Sequence, residues 1–282
     1  MESLSALLII IALLVATGLL LKSLPILEQQ SIKDLLTSSE WKPLKGQFGF
    51  FPFFMGTLWV TGIAIALSLP GCLLASIYLT EYASSRTRGL INPLIDLLAG
   101  IPPVVYGVWG ILVIVPIVGD KLAPYFGDFS SGYSLLTGGI VLSIMIAPLL
   151  ISIFSEVFYS VPQDLRNASF SLGATQWQTV KKVVVRKSLP GILAAVVLAI
   201  SRAFGETIAV MMVCGNTVII PHSIFDAGYP LPALIANNYG EMMSVPLYDS
   251  ALMFAAFILF LVIFLFNALS RWVIAKLENR IV

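Results

Sequence analysis

The stretch ALMFAAFILFLVIFLFNALSRW, residues 251–272, holds no charged side chain before Arg271. A helix needs about 20 apolar residues to cross the hydrocarbon core of a bilayer, and this run is long enough. It never returns to polar every third or fourth position, as a helix on the surface of a soluble domain does. A helix that is apolar all round is stable only where its surroundings are apolar too. This stretch therefore reads as a membrane span.

Working outward, comparable runs occur at about 4–21, 53–79, 90–118, 135–157 and 190–213. The predicted fold is an all-α integral membrane protein with about six transmembrane helices. Composition agrees, since 58% of the 282 residues are hydrophobic and only 11% charged, against about 25% charged in a soluble domain. Mean hydropathy is +0.96. Only Glu2 precedes the first run, which lacks a basic leader and a small-residue cleavage site, so it is expected to be a retained helix.

A formal net charge of +1 gives no field for nucleic acid. Cys72 and Cys214 lie far apart without metal-ligand spacing and read as small apolar packing groups. His222, the only histidine, is expected to be a solvated loop residue. No G-x-x-x-x-G-K-[ST] loop and no nucleophile or metal cluster is visible, so the chain is not expected to be an enzyme. Trp59, Trp109 and Trp272 suit the membrane interface.

The distribution of Lys and Arg sets the orientation. With the N-terminus inside, the cytoplasmic segments carry Arg86, Arg88, Arg166, Lys181, Lys182, Arg186, Lys187, Arg271, Lys276 and Arg280. The outer segments carry Lys22, Lys33, Lys42, Lys45 and Lys121. Both termini are expected in the cytoplasm. The sixteenth cation, Arg202, falls inside a span.

The cytoplasmic segment 159–189 is too polar, basic and helix-patterned for a mere connection. Asp164 is expected to cap a helix after Pro162, and Leu165, Ala168, Leu172 and Trp177 put apolar groups on one side. Gly173 costs about 1 kcal/mol relative to alanine inside a helix and allows a turn between two short ones. Two readings stay open, a docking surface for a second protein and an interfacial helix touching headgroups.

Within the fifth run stands Ser201-Arg202-Ala203-Phe204-Gly205-Glu206-Thr207. A charge at mid-membrane costs about 2.5 to 3.5 kcal/mol on insertion scales, so two call for compensation. Four apart on a helix, Arg202 and Glu206 would share a face and meet. Either they form a structural ion pair, or they face a water-filled path in which the guanidinium fork suits phosphate or carboxylate oxygens. The path is the preferred reading. Pro102 and Pro103, each lacking an N–H, are expected to kink the third span, and Pro148 to do the same in the fourth.

The residues also carry a resemblance. Asn167-Ala168-Ser169, Gly173 and Val183/Val185 resemble the cytoplasmic signature loop of ABC-importer permeases, E-A-A, three residues, Gly, nine residues, I-x-L-P. Asn167 replaces the acid and Arg186 the proline. The run 201–216 is similar to the R-A-x-G-E-T-x-A-V-x-x-x-x-G-N stretch of the PstC-type permease family of phosphate ABC importers, and Ile101–Gly107 to its I-P-S-V-V-Y-G. The family's sister subunit usually continues with A-P where Ala209-Val210 stands here.

The resemblance implies a type I ABC importer permease fold with a cytoplasmic coupling helix. It implies a permease subunit for inorganic phosphate, paired with a second, PstA-like permease. A PstB-like ATPase dimer would dock at Asn167, Ala168, Ser169, Gly173 and Trp177, and a PstS-like phosphate-binding protein on the outer loops. Arg202, Glu206 and Thr207 would line the substrate path. The expected layout is a first helix and outer loop (1–52), a permease domain (53–272) and a cytoplasmic tail (273–282) in a cell membrane. The alternatives are a permease for another oxyanion, molybdate or sulfate, and an ion-coupled secondary transporter, although matched broken helices in two halves are not visible.

Overall fold

The computed structural model describes residues 2–241 and 244–281. The side chains of 2–6, 8, 270 and 273–281 lie outside the described residues, and with them Lys276, Arg280 and the side chains of the expected tail. In chain order the elements begin with α1 (Glu2–Gln29), α2 (Ile32–Thr37) and a hairpin of β1 (Trp41–Lys42) and β2 (Gln47–Phe48). Then come α3 (Phe51–Tyr82), α4 (Ser85–Ala99), α5 (Pro103–Tyr125) and α6 (Leu135–Tyr159). They are followed by α7 (Gln163–Ser171), α8 (Gln176–Phe204), α9 (Ile208–Val213), α10 (Leu231–Asn238) and α11 (Tyr248–Ile281).

Among the described residues six helices are long and apolar enough to cross a membrane: α1, α3, α5, α6, α8 and α11. The count matches the sequence reading. In lipid each backbone polar group must be satisfied within its own helix, which is why these runs are helical throughout. Hydrocarbon gives no hydrophobic drive between helices, so they cohere by close packing of small residues. A Cβ on Gly139 of α6 would come within 2.4 Å of Ile63 of α3, and one on Gly138 within 2.3 Å of the Cys214 sulfur. Around this contact Ala64, Leu142, Ile146, Leu150 and Phe154 are fully buried.

A second core lies where one end of α1, α3 and α11 meets the hairpin and α10. Ile26, Leu35, Phe48, Phe50, Phe53, Leu231, Tyr248 and Phe254 bury one another, and the Trp41 ring stands edge-on to Phe48 and Phe53 at 5.4 and 5.1 Å. Burial of a large apolar side chain from water contributes about 1.5–3 kcal/mol. The segment after α1 is thus a folded cap rather than an open loop, and it packs α1 against α11.

Two spans differ from the sequence reading. The expected third span, 90–118, is divided. Gly100–Pro102 separates α4 from α5, with Pro102 extended (φ −62°, ψ 142°) and Pro103 as the first helical residue. The prolines end one helix and start the next rather than kinking a single one, because their missing N–H costs nothing at a helix start. Tyr106 Oη donates to Leu98 O (2.8 Å), holding the two helices together across the break. The expected fifth span, 190–213, begins earlier and is interrupted at Gly205. Pro148, in contrast, sits inside continuous α6.

Candidate functional site

The interruption in the fifth span changes the geometry of its charges. α8 ends at Phe204, Gly205 caps it, and α9 starts at Ile208. The expectation that Arg202 and Glu206 meet on one helical face is not met, since the four-residue spacing spans a break. Among the described residues neither forms an ion pair with the other. Arg202 is exposed and Glu206 half-buried. Glu206 turns to α9, where Oε1 accepts from Ala209 N (3.3 Å), placing a negative group at a helix start. Thr207 Oγ1 donates back to Gly205 O (3.3 Å).

α9 is held between its neighbours. A Cβ on Gly107 of α5 would lie 2.5 Å from the Met212 sulfur and 3.4 Å from Ala209 Cα, and one on Gly110 would be 2.9 Å from Val213. The two runs singled out in the sequence, 101–107 and 201–216, are therefore in direct contact. The turn after α9 uses left-handed backbone at Gly215 (φ 86°) and Asn216 (φ 49°). Gly215 is suited to that region, and Asn216 adds a bond from Nδ2 to Met211 O at 2.8 Å.

At the other end of α8 lies the basic segment 159–189, which the charge distribution assigns to the cytoplasm. α7 and α8 are two helices joined by the turn expected at Gly173, whose φ of 81° places it in the left-handed region. Gly173 N donates to Phe170 O and Ala174 N to Ser169 O, closing the free carbonyls of α7. Asp164 is not the cap. It lies in the first turn of α7, and Pro162 occupies the cap position without a side-chain bond. A capping box at Thr175 and Gln178 starts α8 instead. Asn167, Ala168, Gly173 and Trp177 are exposed, while Ser169 Oγ reaches Thr179 Oγ1 at 2.9 Å. Leu172 is 90% and Trp177 53% exposed, an apolar surface in a polar segment that calls for a cover.

Sequence reasoning missed Glu81 and treated Arg166 only as a positive charge. They form a salt bridge, Nη2 to Oε1 at 2.7 Å, with both side chains about nine-tenths buried. The partners are 85 positions apart, so no local spacing announces them. The one available signal was a lone glutamate at the end of an apolar run. Beside the pair opens a cavity of about 600 Å³ lined by Arg88, Pro162, Phe170 and Gln176. His222 is exposed in its loop, as expected, and the described residues hold no cluster of metal ligands.

Residues 70–282 match the family of binding-protein-dependent transport system inner membrane components. The chain belongs to this family. As a binding-protein-dependent permease it is 38% identical over 245 residues to the probable ABC transporter permease protein YqgH of Bacillus subtilis, covering 86% of this chain and 78% of that one. It is 34% identical over 278 residues to the phosphate transport system permease protein PstC of Haemophilus influenzae, covering 92% and 88%.

Among solved structures the permease superposes on a bacterial ABC transporter that imports the polysaccharide alginate, with TM-score 0.62, 14% identity, and 88% and 84% coverage. The inward-facing MetNI methionine transporter gives TM-score 0.57, 18% identity, and 81% and 94% coverage. These likenesses carry the fold, that of a type I ABC importer permease, and the chain is a multi-pass inner membrane protein.

Proposed function

We propose that the chain is a permease subunit of an ATP-driven importer and forms, with a second permease, the membrane path for inorganic phosphate. The observation that carries this reading is Arg202, an arginine in an apolar span that a helix break leaves without an ion-pair partner among the described residues. A buried or membrane arginine with no counterion is costly, and a cargo anion supplies the missing charge. Its planar fork matches a phosphate or another tetrahedral oxyanion. The phosphate permeases among its relatives supply the cargo.

Glu206 and Thr207 complete the site. Glu206 fixes the start of α9, accepts a bond from a protonated phosphate oxygen and repels a fully ionised anion, while Thr207 offers a hydroxyl. The exposed surface around Asn167, Ala168, Ser169, Gly173 and Trp177 is where an ATPase dimer docks, and motion of α7 passes into α8. ATP is hydrolysed on that separate subunit. A phosphate-binding protein delivers cargo to the outer cap. This orientation puts both termini in the cytoplasm, in line with the ten cytoplasmic cations against five outer ones.

The test is uptake of labelled phosphate into vesicles holding this chain, a second permease and an ATPase. Uptake is expected to require ATP and to be competed weakly by molybdate and sulfate. Phosphate uptake without the ATPase would overturn the importer reading, and stronger competition by molybdate would overturn the cargo.

A further inference from the structure

The proposed function uses the exposed face of α7 and its link to α8. Arg166, on the opposite face, makes connections which that scheme leaves unused. Its Nε lies 3.3 Å from both carboxylate oxygens of Glu81, and Nη2 lies 2.7 Å from Oε1. Nη2 also donates to Phe158 O at 2.9 Å, and Nη1 to Val161 O. Those two carbonyls belong to the end of α6 and the turn just after it, where the last carbonyls of a helix run out of intrahelical N–H donors. Glu81 sits in the π-helical turn Tyr78–Tyr82 that ends α3. Gln176, at the start of α8, donates to the Glu81 backbone oxygen at 2.6 Å. One guanidinium on α7 thus grips the ends of α3 and α6, and α8 holds the same turn.

We infer that Glu81 and Arg166 are positioning residues that carry the displacement of α7 into α3 and α6, so that three spans shift with the docking helix as one body. This rests on the reading of α7 as the ATPase-coupled helix. Cohesion alone does not call for charge here, because a buried ion pair is often replaced by apolar residues of similar volume without loss of stability. What the pair adds is a set of directional bonds that resist shear between helix ends. Apolar side chains slide past one another and do not.

The test uses the full complex in vesicles with the double variant Glu81→Leu/Arg166→Met, which keeps volume and removes the bonds. The complex is expected to assemble and hydrolyse ATP, while phosphate imported per ATP falls on the order of ten-fold. An assembled double variant with the wild-type ratio would overturn the inference, since it would leave the pair with cohesion only. If the double variant does not assemble, Glu81→Asp, which withdraws the carboxylate by one methylene, carries the same test with the same two outcomes.

A cargo-independent readout separates this inference from the proposed function. Spin labels at Ser171→Cys on α7 and Leu74→Cys on α3 report their separation; the two native thiols, Cys72 and Cys214, are buried. ATP is expected to leave the distance unchanged with the native pair and to change it in the double variant. An unchanged distance in both would overturn the rigid bracket. Wild-type vesicles that import no phosphate would count against the cargo alone.

Discussion

The protein holds two arginine–glutamate sets, and they behave in opposite ways. Arg202 and Glu206 are four positions apart, yet a helix break at Gly205 keeps them from pairing. Arg166 and Glu81 are 85 positions apart and meet at 2.7 Å, about nine-tenths buried. Sequence spacing therefore does not decide which charges pair in this fold. The committed pair lies where the ends of α3, α6 and α7 meet and holds these elements together. Arg202 lies in a span, exposed and without an ion-pair partner among the described residues.

The largest effect expected from breaking this contrast comes at the committed pair. Glu81→Gln leaves the Arg166 charge buried without its counterion, which typically costs about 3–5 kcal/mol. Thermal unfolding in detergent should show the complex strongly destabilised. Glu206→Gln, by comparison, should change stability little, because Glu206 is half-buried and bonded to a single backbone N–H.

Trp177→Ala probes the exposed side of the neighbouring segment, at the start of α8. A central aromatic anchor is worth about 2 kcal/mol or more at an interface, so titration of the ATPase onto the permease should show roughly 30-fold weaker binding. A smaller effect is expected at Gly173, whose φ of 81° costs an L-residue about 1–2 kcal/mol. Gly173→Ala should lower stability by that amount and weaken transport without abolishing it.

Much of this was legible in the sequence. Span number and the turn at Gly173 follow from hydropathy and glycine placement, which are local properties. The break at Gly205 was not, because glycine is tolerated in membrane helices and nothing in 201–207 forbids a continuous turn. Its cause is tertiary, since α9 is redirected to pack on Gly107 and Gly110 of α5. The division at Pro102 could have been read as a start signal, as proline is at home in the first turn of a helix. The Glu81–Arg166 bracket was out of reach, because its partners meet only once α3, α6 and α7 are assembled. The aromatic cap built on Trp41 was hidden for the same reason.

The most direct test of the account is Arg202→Gln, with labelled phosphate uptake and ATP hydrolysis read in the same vesicles. Loss of one charge-assisted contact of about 2 kcal/mol predicts uptake at least about 30-fold slower, with the complex assembled and still hydrolysing ATP. Uptake at the wild-type rate would contradict the account and return Arg202 to a structural role.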